Sequence, residues 1–428
     1  MDVQYTSGEA LDSKRSRSIN SHSFPSSSHC RGSDCALNVT LLAVEWGSSK
    51  GGFSTINRNL AINFAKHKRL NVTLFVPKGS CSDEEKKAAR RHNVTVREAS
   101  SPDCYEDGDW LTNPADDFAI DFVFGHGINL GEQAKRKKRT HKCKWVQVVH
   151  TAPEDLGMQR KGTDAISKGI KENEIVVNLC RSADVVVTVG PKLKARYDSS
   201  LCVYKNDHDI IQLTPGIFSE FSDAKRISHK RSEFSVLIYG LIDPEDFSLK
   251  GYDLAAKAMA ELKNDNYRLL VVGAPEEKLE QIADTFEDCG ISRAKLTVRS
   301  IVKDRERLVA LFCQADLLLM PSRTEAFGLT ALEALSAGLP VLVSENSGFG
   351  QVLSTLTSGD QFVVKSNDPC EWARQIANVR RKDIKMRLDE VRALQKYYDA
   401  SYSWERECSK LVAKMWNIFR GKSIEWPK

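Results

Sequence analysis

Residues 321–341 read PSRTEAFGLTALEALSAGLPV. Leu317 to Met320, just before them, is an unbroken apolar run of strand length, and their last residue opens another, Val341 to Ser344. Between the two runs, Leu329 to Ala337 repeats its apolar residues at helical spacing. A strand, a loop, a helix and a second fully apolar strand describe a parallel sheet covered on both faces. The loop presents Glu325 and the helix opens near Gly328. The free backbone N–H groups of Gly328, Leu329 and Thr330 then form a helix N-terminus that favours an anion such as diphosphate. Glu333 follows Glu325 by eight positions, about one to two turns into the helix. Carboxylates accept paired hydroxyl hydrogen bonds, so the two suit a sugar at one end and a ribose at the other, with phosphate between. Two solvated glutamates on a capped helix are the plainer alternative, and the flanking strands weigh against it.

The same alternation runs outward through the chain. In the first half, strands are expected at Val39 to Val44, Val72 to Val76, Phe118 to Phe124, Trp145 to His150, Val185 to Val189 and Ile210 to Leu213, with a helix over Asn57 to Lys66. A polar, basic stretch from Ser219 to Ser232 interrupts the series. It restarts with strands at Ser235 to Tyr239, Arg268 to Val272 and Leu296 to Val298. Helices are expected over Tyr252 to Lys263, Lys278 to Asp288 and Arg305 to Cys313. The fold class is α/β, with a disordered Ser-rich tail over 1–36 and two doubly wound domains over 37–218 and 219–402. Residues 403–428 hold a helix, Trp404 to Phe419, that packs back across the interface. Doubly wound sheets bind ligands beyond the carboxyl ends of their strands, so two facing each other make a cleft.

A chain of 428 residues suits two such domains. Its 41 % hydrophobic and 28 % charged residues are those of a soluble globular protein. The net charge of +5 gives no licence for nucleic-acid binding. Eleven cysteines are scattered without a C-x-x-C spacing, which speaks against a zinc site. Cys30 and Cys35 lie in the tail, and Cys180 and Cys313 sit beside apolar runs. The odd count fits a reducing compartment. Neither a signal-peptide layout nor an apolar run of membrane length is present, and the expected setting is cytoplasmic.

The 321–341 segment resembles the E-x7-E donor signature of GT-B glycosyltransferases, specifically family GT4, and the likeness extends from about Asn38 to Leu411. The resemblance implies two Rossmann-like domains and a retaining transfer of a sugar from a nucleoside-diphosphate sugar to an acceptor hydroxyl. Neither metal nor cofactor is implied, since the nucleotide sugar is itself the donor substrate. It implies that Glu325 meets the donor sugar and Glu333 the ribose hydroxyls. Backbone at Ala326, Phe327 and Gly328 would contact the sugar, and that at Leu329 and Thr330 the phosphates. Residues 239–253, YGLIDPEDFSLKGYD, supply a second element of the likeness. Lys250, before Gly251 at a helix start, would neutralise the diphosphate. The family usually carries Gly-Arg at the preceding strand end, but here Gly240 is followed by Leu241. Arg299 and Arg323 are the candidates to replace that arginine. A catalytically weak or inactive nucleotide-sugar-binding module is therefore the alternative reading.

In the first half, residues 48–54 read SSKGGFS. Gly51 and Gly52 permit close backbone approach, and the resemblance implies that they line the donor diphosphate and acceptor. His126 and His150 end two strands and become acceptor-side candidates, with His150 preferred. Arg181 and Glu172 or Glu174 are assigned to the same cleft. Glu325, Lys250 and His150 carry the catalytic assignments. The basic run 135–144, KRKKRTHKCK, reads as a solvated loop or helix face ahead of a membrane contact or a nuclear address. Acceptor, donor base and oligomeric state stay open.

Overall fold

Unbroken runs such as Val185-Val-Val-Thr-Val189 leave no polar face for solvent, and the computed structural model places them inside two parallel sheets. It describes residues 36–99, 119–160, 162, 164–222, 232–264 and 266–421. Residues 1–35 of the expected tail, with Cys30 and Cys35, lie outside the described residues, as do Phe118 and residues 223–231.

The first sheet holds β1 (Leu37–Leu42), β2 (Leu70–Val76), β3 (Val94–Glu98), β4 (Phe122–His126), β5 (Lys144–Val149), β6 (Val185–Val189) and β7 (Ile210–Leu213), in the order β3-β2-β1-β4-β5-β6-β7. The second holds β8 (Phe234–Tyr239), β9 (Tyr267–Ala274), β10 (Leu296–Ser300), β11 (Leu317–Met320), β12 (Val341–Ser344) and β13 (Val363–Val364), in the order β10-β9-β8-β11-β12-β13. Helices of the first half are α1 (Gly52–Phe64), α2 (Asp83–Arg91), α3 (Asn129–His141), α4 (Pro153–Gln159), α5 (Ala165–Ser182) and α6 (Pro191–Leu201). A one-turn helix, α7 (Ser219–Ser222), follows β7. The second half carries α8 (Tyr252–Glu261), α9 (Leu279–Glu287), α10 (Arg305–Gln314), α11 (Leu329–Ser336), α12 (Gly348–Ser354) and α13 (Pro369–Arg381). Two more helices, α14 (Ile384–Ser401) and α15 (Trp404–Phe419), end the described chain. Strand order reverses between β1 and β4 in one sheet and between β8 and β11 in the other. At such switch points the loops part and leave room for a ligand.

Three departures from expectation have physical causes. The first helix starts at Gly52 and not at Asn57, because α1 buries polar residues that mask its apolar stripe. Ser54, Thr55, Asn57, Asn59 and Asn63 are all buried, and the Asn57 amide donates to the Leu42 carbonyl at 2.8 Å. The edge strand β3 buries Val94 alone and exposes Thr95 and Arg97, and β13 spans only Val363–Val364. Neither shows the continuous apolar run used to find the rest. The basic run lies on α3 and the start of β5. There Lys137 is buried with its ammonium 5.0 Å from the Phe75 ring centre. Lys138 and Lys144 both pair with Asp184, at 2.9 and 3.3 Å.

One apolar cluster runs from the first sheet through Phe218 and Phe221 into Leu237, Leu318, Phe327 and Leu332, and on to Tyr398, Trp404, Leu411 and Met415. The last helix packs back on α1 and β7. Lys414 pairs with Asp209 at 2.8 Å, the Glu407 carboxylate accepts from Thr214 N–H at 3.1 Å, and Tyr398 donates to the Pro215 carbonyl at 2.7 Å. Each large apolar side chain buried at this seam contributes about 1.5–3 kcal/mol.

Candidate functional site

The loop after β11 is held on both sides before any ligand arrives. Its Glu325 N–H donates to the Asn346 carbonyl (3.2 Å), Gly348 N–H to the Glu325 carbonyl (3.2 Å), and Phe349 N–H to that of Phe327 (2.7 Å). Arg323 fastens the other side, donating through both terminal nitrogens to Asp253 at 2.7 and 2.9 Å. Gly251 lets the loop after β8 come close: its φ is +69°, and a Cβ there would sit 2.0 Å from the Pro321 carbonyl oxygen. This approach brings Lys250 Nζ to 2.6 Å from Glu325 Oε2. The Glu325 charge raises the Lys250 pKa, outweighing burial. The helix α11 begins beside this pair with Gly328 as its N-cap and no side-chain cap, so its first N–H groups keep their pull on an anion.

Glu333 is buried on α11. Arg305, the first residue of α10, donates to it through Nη1 at 2.7 Å. Its other terminal nitrogen binds Glu220 on α7, whose second oxygen lies 3.4 Å from Arg58 on α1. Burial raises the Glu333 pKa, and Arg305 opposes that rise.

The first half presents the ends of β1 and β6 to this loop. After β1, Glu45 ties down the turn, accepting from Ser49 Oγ at 2.5 Å and Lys50 N–H at 2.7 Å. Gly51 and Gly52 follow, and a Cβ on Gly52 would lie 2.9 Å from Leu329 Cδ1. After β6, a Cβ on Gly190 would lie 2.5 Å from Phe327. Two residues on, Lys192 reaches across to donate to Thr324 Oγ1 at 2.5 Å and the Asn346 carbonyl at 2.7 Å. The halves are closed on one another. Within the first half, His126 Nδ1 and His150 Nε2 stand 2.8 Å apart, so one ring donates and the other accepts. Phe53 stacks on His150 with ring centres 4.3 Å apart. Burial lowers the His126 pKa to about 3. Burial and the neighbouring imidazole hold His150 well below its usual value.

Glu325, Lys250, Gly240, Gly328, Leu329, Thr330 and Glu333 thus gather at one switch point, and Gly51, Gly52, His126 and His150 lie at the other. Arg181 does not join them. It ends the helix before β6, which places it at the amino edge of the sheet, where its guanidinium stacks 3.8 Å over Tyr204. Glu174 is exposed, while the charge of Glu172 is felt by Arg160, itself 2.7 Å from Asp246. Arg323 is committed to Asp253 and does not replace the arginine that Leu241 displaces. Arg299 is exposed at the end of the edge strand β10, and Leu241 is 66 % exposed. Lys192, Arg305 and Glu45 are functional-site residues missed by sequence reasoning. Lys192 lies at the start of α6, three residues past the end of β6, and that strand-to-helix position was its signal. Among the described residues no three His, Cys, Asp or Glu side chains group as a metal ion would need, and no helix is long and apolar enough to cross a membrane.

Two facing doubly wound sheets, with paired carboxylates and a lysine at the carboxyl ends of the second, define a GT-B glycosyltransferase. The chain belongs to the family described as "Family 4 Glycosyltransferase in conflict systems", which matches residues 40–411. Among curated relatives it is 27 % identical over 315 residues to the D-inositol 3-phosphate glycosyltransferase of Corynebacterium urealyticum, covering 69 % of this chain and 70 % of the relative. The Corynebacterium jeikeium protein of the same name is 28 % identical over 313 residues, covering 68 % and 71 %. Among solved structures, sucrose-phosphate synthase from Thermosynechococcus elongatus superposes with a TM-score of 0.69 at 17 % identity, covering 90 % of this chain and 100 % of that one. HepE from Anabaena, solved with UDP and glucose, gives 0.64 at 13 % identity, covering 89 % and 99 %. At such identities the structural likeness shows the fold.

Proposed function

We propose that this glycosyltransferase takes its sugar from a nucleoside-diphosphate sugar and passes it to an acceptor hydroxyl with retention at the anomeric carbon, without a metal ion. The contact of Lys250 with Glu325 beside the uncapped start of α11 carries this reading. It sets a cation, a helix N-terminus and a sugar-binding carboxylate within one small volume. The structural neighbour HepE was solved with UDP-glucose, which supports a donor of this class.

In this mechanism the diphosphate draws Lys250 away from Glu325, and the freed carboxylate accepts from the donor sugar. Backbone N–H groups of Leu329 and Thr330 take the phosphate oxygens, while the backbone at Ala326, Phe327 and Gly328 lines the sugar. Glu333 accepts from the ribose hydroxyls. The diphosphate leaves on the face that the acceptor enters, and its oxygen takes the acceptor proton. His150 and His126 act as neutral hydrogen-bonding groups on the acceptor side. Closure of the two halves excludes water, whose attack would waste donor. Curated relatives named for inositol 3-phosphate make small phosphorylated polyols the first acceptors to try. A reducing, cytoplasmic setting belongs to the same reading, supported by free buried thiols at Cys81, Cys143, Cys180 and Cys408. A binding module without transfer is not favoured, because Lys250 stands in place although Leu241 removes the second cation.

Incubation with UDP-, GDP- and ADP-sugars and a polyol panel, with chelator present, tests the proposal by nucleoside-diphosphate release and anomeric NMR. We expect release with a retained product, and loss of donor binding in Glu333→Ala. An inverted product, or turnover only on adding a divalent ion, refutes it.

A further inference from the structure

We propose that Arg305 is a positioning residue for the ribose carboxylate Glu333, and that Glu220 and Arg58 make its grip depend on docking of the first half. This inference rests on the nucleotide-sugar reading of the site. Four charges alternate in sign along one line: Arg58 on α1, Glu220 on α7, Arg305 on α10 and Glu333 on α11. The line crosses from the first half, through the connecting turn, to the donor helix. The most exposed of the four side chains, Glu220, is only 28 % exposed. Two of them are also stacked, Arg305 at 4.5 Å over Phe221 and Arg58 at 5.5 Å over Trp46. Surface ion pairs contribute little because water screens them and long side chains lose entropy in forming them. A half-buried guanidinium locked by stacking and shared between two carboxylates escapes most of both losses.

The division of oxygen atoms gives Arg305 its role. It takes Glu333 Oε1 at 2.7 Å, and Oε2 has no protein partner among the described residues. A ribose diol needs an ionised, fixed acceptor, and burial alone would favour the protonated acid. Arg305 supplies both the fixed rotamer and the opposing charge. Glu220 sets how much of that charge Glu333 feels. With α1 docked, Arg58 shares Glu220 and leaves the Arg305 charge to Glu333. With α1 withdrawn, Glu220 would neutralise Arg305 and weaken its hold. Donor binding and docking of the halves then favour each other equally, as linkage requires.

The test compares UDP, GDP and ADP with their 2′-deoxy forms by calorimetry on the full chain, across pH. In the wild type, removal of the 2′-hydroxyl should weaken the best nucleoside diphosphate about tenfold or more. In Arg305→Ala that discrimination should collapse towards unity, while Arg305→Lys keeps part of it. Arg58→Gln should weaken binding about threefold to tenfold, whereas Glu220→Gln removes the charge that competes for Arg305, so adding it to Arg58→Gln should restore the lost affinity. The groups facing Glu333 are Arg305 from α10, Glu220 from α7 and Tyr239 from β8. Removing Arg305 deletes the cation, so the acid limb of binding should move to higher pH. Undiminished discrimination and an unmoved acid limb in Arg305→Ala, or in Arg305→Lys if the alanine variant does not fold, would overturn the proposal. A wild type that binds none of the three nucleotides refutes the donor reading itself, and this inference with it.

Discussion

The two switch points of this molecule solve the same problem with opposite electrostatics. The second half builds its site from compensated charges: Lys250 with Glu325, Arg323 with Asp253, and Arg305 with Glu333. The first half carries Glu45 and Lys192 beyond β1 and β6, but closes β4 and β5 with two imidazoles that burial keeps neutral, with His126 Nε2 lacking any partner among the described residues. On the proposed reaction, the donor diphosphate carries charge and must find cations ready to release their carboxylate partners. An acceptor hydroxyl carries none, and a neutral donor–acceptor pair can orient it without attracting the phosphate to the wrong side. The division predicts that charge-changing variants are severe in the second half, and that protonation is what damages the first.

Lys250→Ala should produce the largest effect. It deletes the one cation beside Glu325 in the loop after β8 and leaves a half-buried carboxylate facing the incoming diphosphate. Removing one preorganised group from a developing charge typically costs about 10²–10³ in kcat, and that loss is expected here with a smaller rise in donor KM. A steady-state assay of donor turnover measures it. A loss confined to KM would mean that Lys250 only binds, and the contrast between the halves would then be one of affinity and not of chemistry.

Acidification should reveal the neutral pair. His126 is protonated in the unfolded chain near 6.5 and in the folded protein only near 3. Between those values the unfolded state binds more protons, so stability rises with pH and is lost as pH falls from about 6.5. The slope is about 1.4 kcal/mol per pH unit for this group, giving about 2 kcal/mol of lost stability by pH 5. Urea denaturation at pH 7 and pH 5 measures it, and His126→Gln should flatten the difference. An equal slope in the variant would assign the acid sensitivity to groups other than His126 and break the comparison.

Legibility of the site followed the same division of distances. The donor loop could be read because Glu325, the helix start and Glu333 lie within nine consecutive residues between two apolar runs. Most strands of both sheets could be read because buried parallel strands advertise themselves, while the strand order that sets the switch points came from the structure. Partners brought together by the fold could not be read. Lys192 meets Thr324 across 132 positions, and Arg305 meets Glu220 across 85. Arg323 was read as a spare cation because nothing local shows that Asp253, 70 positions earlier, claims both its nitrogens. The start of α1 does not show because its buried asparagines donate to backbone carbonyls, Asn57 to Leu42, Asn59 to Thr55 and Asn63 to Asn59, which a hydrophobic period does not record. Arg181 was different, because a helix that precedes a strand ends at the amino edge of the sheet, and topology alone excluded it.

Leu241→Arg should give the smallest effect and the sharpest test of what the second half lacks. Leu241 sits at the end of β8, beside the switch point, with its side chain 66 % exposed. Replacing it disturbs no packing, so stability should change by less than about 0.5 kcal/mol. An added guanidinium there would face the leaving diphosphate together with Lys250. Solvent screens so exposed a charge, and a gain of only about threefold in kcat is expected. An unchanged kcat would mean that the missing charge is already supplied. Arg299 is then the group to remove, because it ends β10 on the same edge of the sheet, about 10 Å from β8 at two strand spacings. Loss of turnover in Arg299→Ala, set against no gain in Leu241→Arg, would show that this chain has moved its second cation from one strand end to another.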